Sequence, residues 1–75
     1  MNNAASLFDQ ITVNISTGAI AYPKLEGFKL DMEHMYSTAS RFAPHCASME
    51  MAVKQAIHQQ LAAHQGAMQL FGKRR

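Results

Sequence analysis

Four histidines, one cysteine and five carboxylates are the side chains here with the means for acid–base, nucleophilic or metal chemistry. Their spacing assembles none of it. His45 and Cys46 are adjacent, so their side chains diverge. His58 and His64 stand six residues apart and do not share a helix face. A helical zinc site needs histidines at i and i+4, and a zinc-binding loop needs Cys-x-x-Cys; neither spacing occurs. A metal shared between two copies of the chain is the one route left open, and the expectation is no metal and no cofactor. Acyl transfer needs a nucleophile, a base and a group that orients the base. Asp9, Glu26, Asp31, Glu33 and Glu50 read instead as helix caps or surface charges. There is no Gly-x-Ser-x-Gly elbow and no glycine-rich phosphate loop. So small a body also has little room to line a pocket. The chain is expected to have no catalytic residue and no enzyme activity.

Gln60 and His64 draw notice for a different reason. They lie four residues apart within an otherwise apolar helical stripe. One reading makes them polar contacts in a helix–helix interface, which fix register and partner at some expense of stability. The other has both side chains lean to the edge of the stripe and reach water. With Val53, Ile57, Leu61 and Met68 they make up the expected partner-binding surface. The basic residues offer an alternative. Arg41 and Lys54, with the tail Lys73, Arg74 and Arg75, could meet nucleic-acid phosphates. Net charge is only +2, and three of the seven basic residues are the last three. Proteins that track a phosphate backbone usually spread their basic residues over a face.

These residues must be positioned by a small number of elements, because 75 residues make one domain at most. Residues 1–10 read as an N-terminal arm. Ile11, Val13 and Ile15 alternate with Thr12, Asn14 and Ser16, the period of a half-buried strand. Ser16-Thr17-Gly18 signals a turn, and Ala19 to Tyr22 a return strand that Pro23 ends. A β-hairpin over 11–22 is therefore predicted. Phe28 and Leu30 reach back from a connector at 23–30. Asp31 caps a first helix over 32–43, with Met32, Met35, Tyr36, Ala39, Phe42 and Ala43 on its apolar side. Thr38 falls on its polar side. Pro44 breaks the chain at 44–47. Ser48 caps a second helix over 48–71, roughly 36 Å long at 1.5 Å per residue. Its stripe is Met49, Val53, Ala56, Ile57, Leu61, Met68 and Phe71, and Gly72 is its expected stop before the basic tail at 73–75. Met51 points away from that stripe.

The pattern predicts an α+β fold: an N-terminal β-hairpin packed against two amphipathic α-helices, the second long. The small core favours a second copy, so a homodimer is expected, joined through the long helix or the hairpin edges. Cys46 is the only cysteine, which rules out a disulfide within the chain. It reads as a small apolar filler or, more sharply, as a reactive thiol or one half of an intermolecular disulfide. No secretory leader and no membrane-length apolar run is visible, so a cytoplasmic location is expected. The resulting functional expectation is a small protein-binding module, accessory or inhibitory, that blocks a larger bacterial protein complex. A phage or other mobile element would be a fitting source. The alternatives are a dimeric nucleic-acid-binding regulator and a structural subunit of an assembly. A ribbon-helix-helix regulator is similar in running from strand to two helices. This chain departs from it in having a hairpin and no arginine or lysine on its strands to read bases.

Overall fold

The computed structural model describes residues 6–73, and side chains through residue 67. A 3-10 turn at Phe8–Gln10 leads into strands β1 (Thr12–Asn14) and β2 (Ala19–Ala21). Helix α1 (Met32–Phe42), a second 3-10 turn at Ala43–His45, and helix α2 (Met49–Lys73) complete the order. The antiparallel two-stranded hairpin packs against the two helices, the second of them long, as the sequence pattern predicts. The fully buried side chains of largest volume are Ile11, Met35, Ile57 and Leu61, one from the hairpin's entry, one from α1 and two from α2.

The hairpin closes through side-chain chemistry local to its turn. The Thr17 N–H donates to the Asn14 carboxamide oxygen at 3.3 Å, and the Ala19 N–H to the Thr17 hydroxyl at 3.3 Å. Gly18 adopts φ +75°, which only glycine takes without strain, and its N–H donates to the Ile15 carbonyl at 3.3 Å. These bonds turn the chain one residue earlier than the alternation of Ile11, Val13 and Ile15 implies. Strand pairing ends at Asn14↔Ala19. Ile15, expected to face the core, therefore sits in the turn and is 48% exposed.

Asp31 caps α1 as predicted, its carboxylate accepting the His34 N–H at 3.0 Å. The buried face is rotated from the expected one. Met35, Thr38 and Ala39 are buried, whereas Met32 and Tyr36 are 46% and 53% exposed. Thr38 was placed on the polar face by residue type alone. Its hydroxyl lies 3.4 Å from His34 Nε2 one turn back, so the polar atom is satisfied within the helix and the side chain can be buried cheaply. Pro44 sits in the 3-10 turn that ends α1, where the Cys46 N–H donates to the Ala43 carbonyl at 3.2 Å.

Ser48 caps α2, its hydroxyl accepting the Met51 N–H at 3.1 Å. Ala52, Val53, Ala56, Ile57 and Leu61 are buried. Met49, expected on the buried stripe, is 49% exposed because it stands at the helix start, where the core tapers. Gly72 does not stop the helix, which runs to Lys73. The expected stripe members Met68 and Phe71 lie outside the described side chains, as does residue 73 of the basic tail; Arg74, Arg75 and the first half of the N-terminal arm lie outside the described residues. The second half of the arm packs down. Phe8 meets the His58 ring edge-on at 5.6 Å, with Lys54 Nζ 4.5 Å from its centre.

Both caps should matter to a fold this small. Asp31→Ala and Ser48→Ala are each expected to cost about 1 kcal/mol, read as a lowered urea midpoint at unchanged slope. An unchanged midpoint for either would show that its helix start is held by something other than the cap.

Candidate binding surface

The stripe expected to lie open on α2 is covered by the chain itself. Val53, Ile57 and Leu61 are 3%, 0% and 0% exposed and form the core with Met35, Ala39 and Ile11. Their burial corrects the expectation that they face a partner. A helix as long as α2 was expected to outrun its cover here, but α1 and the 23–30 connector together reach along it as far as His64.

Gln60 and His64 are what fasten that connector. The Gln60 carboxamide oxygen accepts the Asp31 N–H at 2.9 Å, and its nitrogen donates to the Asp31 carbonyl at 3.0 Å. Both faces of one amide thus engage both backbone groups of one residue. His64 Nε2 lies 2.9 Å from the Glu26 carbonyl oxygen, so that nitrogen carries the proton and donates it. The imidazole also meets the Phe28 ring edge-on at 5.4 Å. Gly27 passes over it with φ +76°, and a Cβ there would lie 3.7 Å from His64 Cε1. The two side chains hold register as one reading supposed, but within the chain, between α2 and the connector.

Of the residues weighed for phosphate binding, the two with described side chains, Arg41 and Lys54, stand on different helices. Arg41 is exposed in the last turn of α1. Lys54 is half-buried on α2, laid over Phe8. Lys73, Arg74 and Arg75 have no described side chains. Among the described residues, no three of the His, Cys, Asp and Glu side chains come together to hold a metal ion. Cys46 is half-buried against the core. No helix among the described residues is long and apolar enough to cross a membrane.

A different surface emerges where the hairpin meets the starts of both helices. Ile15, Tyr36 and Met49, three of the large apolar side chains left about half exposed, line one groove of about 320 Å³. Val13, Ile20 and Ala39 complete its apolar wall. Each element delivers its residue for a local reason. The early turn throws Ile15 outward, and the Glu50 carboxylate, one residue beyond Met49, accepts the Ile15 N–H at 2.8 Å and fixes it against α2. The rotation of α1 brings Tyr36 to the rim. The Ser48 cap sets Met49 in the first turn of α2. The lining has no carboxylate, imidazole, thiol or ammonium group. It can bury apolar surface. The sequence held one signal for this groove: helix α1 offers more large apolar residues than a single buried face accommodates.

Gln60 supplies a direct test of the connector clamp. Gln60→Leu is expected to lower stability by about 1 kcal/mol, because it removes two hydrogen bonds and leaves Asp31 to water. A leucine facing a foreign helix interface would hold or raise stability instead, so a raised urea midpoint would contradict the clamp. No protein-family model matches the chain, and neither does any curated protein or any solved structure.

Proposed function

We propose that this chain is a non-enzymatic protein-binding module, accessory or inhibitory in role, that acts by seating an apolar segment of a larger protein in the groove between its hairpin and its helices. The observation that supports this is the gathering of Ile15, Tyr36 and Met49 around one uncharged depression. Fully burying a large apolar side chain is worth about 1.5–3 kcal/mol. Covering what remains exposed of these three therefore supplies roughly 2–4 kcal/mol, which alone corresponds to millimolar binding at its upper end and tens of millimolar at its lower. The groove is an anchor, and a useful interface has to extend past it. Two neighbouring features can extend it. Strand β2 pairs only with β1 among the described residues, so its other edge can accept a strand. Met32, 46% exposed, stands one helical turn before Tyr36.

A tagged full-length chain should capture one stoichiometric protein from nuclease-treated bacterial lysate. Tyr36→Lys and Ile15→Asp should lose it, while the exposed control Gln55→Glu keeps it. Retention of the same protein by both groove variants would move the binding surface elsewhere. Loss of every partner on nuclease treatment would instead favour nucleic acid as the ligand.

A further inference from the structure

Among the described side chains, the cover along α2 ends at His64. Past His64, the residues Gln65, Gly66 and Ala67 are exposed, yet the helix continues to Lys73. The sequence places Met68, Leu70 and Phe71 in that continuation, followed by Lys73-Arg74-Arg75. Met68 and Phe71 are three apart, a spacing that puts them on one helix face. The groove described above is a surface of matching character, apolar and uncharged.

The chain's own groove is out of reach of this segment. Its α2 wall is made by Met49 and Val53, in the first turns of the helix. Phe71 lies eighteen residues beyond Val53, which in a helix is about 27 Å away. A rigid helix cannot bend its last turn onto its first. A second copy lying antiparallel has no such limit, and it can offer its last turns to the first copy's groove while receiving the first copy's in return. Charge favours the same arrangement. Outside the uncharged lining, the Glu50 carboxylate accepts the N–H of the groove residue Ile15, and Glu33 is exposed one turn before Tyr36. Both are opposite in sign to the three cations that follow Phe71.

We propose that in the free protein each groove is closed by the segment 68–71 of a second copy, in a reciprocal dimer that a partner protein must displace. The inference rests on the reading of the groove as a docking surface, and it adds a regulation to it. Exchange of identical segments about a twofold axis satisfies both grooves and both helix ends at once, and leaves no open contact to propagate.

The test is the mass of the full chain in solution, measured by light scattering after size exclusion. The unaltered protein is expected at twice the chain mass. The double variant Met68→Asp with Phe71→Asp, which has a groove but no apolar segment, is expected at the single mass. So is Ile15→Asp, which has the segment but an altered groove. Mixing the two variants should restore a species of twice the chain mass, because one intact groove then meets one intact segment; this also shows that both variants are folded. A single mass for the unaltered chain at every concentration would overturn the proposal. So would a double mass kept by the segment variant, which would place the dimer contact elsewhere, for instance on the β2 edge. Failure of the partner-binding reading looks different: masses as expected, with no captured protein that depends on Tyr36 and Ile15.

Discussion

The Gln60 carboxamide holds both backbone groups of Asp31, and Asp31 is the residue whose carboxylate caps α1. One contact thereby fixes where α1 begins relative to α2. Because the helix start is set, so is the face that α1 turns inward. Met35, Thr38 and Ala39 meet α2, and Tyr36 is turned to the hairpin side. His64 does the same for the preceding stretch by holding the Glu26 carbonyl. Two polar side chains on one helix thus decide the placement of the chain segment that would otherwise be the least constrained. Polar groups used this way single out one register, because their hydrogen bonds are met only there.

The groove follows from that register together with scarcity of cover. A chain this short has few elements with which to enclose apolar residues. Helix α2 already shares its circumference among α1, the connector, β1 and the Phe8 turn. Large apolar residues at the starts of both helices and in the hairpin turn are left without a covering layer. They are not scattered, as isolated surface apolar residues commonly are. They converge, because the hairpin turn, the exposed side of α1 and the first turn of α2 meet at one end of the molecule.

Much of the architecture was legible in the sequence, since the signals were local. Asp31 and Ser48 cap the helices they precede, Pro44 lies in the break between them, and Gly18 takes the positive φ of the turn it was read to make. What was not legible depended on long-range choices. Thr38 and Tyr36 exchanged their expected environments because periodicity gives the width of an apolar face but not its rotation against a neighbour. Ile15 continued the strand alternation faultlessly, yet Asn14's side chain diverted the backbone before it. Gln60 and His64 were visible as exceptions to the pattern. Their partners were not, because those partners are backbone groups of Asp31 and Glu26, and a backbone group has no signature in residue type. Val53, Ile57 and Leu61 were read correctly as apolar positions on one stripe and incorrectly as uncovered, since the reach of the connector along α2 cannot be inferred from its composition.

The bond between the Glu50 carboxylate and the Ile15 amide joins residues thirty-five positions apart and lies open to water. The hairpin it tethers is short, with three residues in each strand, and such a ribbon has little stability of its own. Its deeper hold on the body is Ile11, at the foot of β1 rather than at the turn. Folding order and local opening follow from this. The helices can form and pack before the hairpin tip is tied down, and the tip can release while Ile11 stays buried. One wall of the groove is thus tied at its tip by a single water-exposed hydrogen bond, while the other two belong to helices packed on the core.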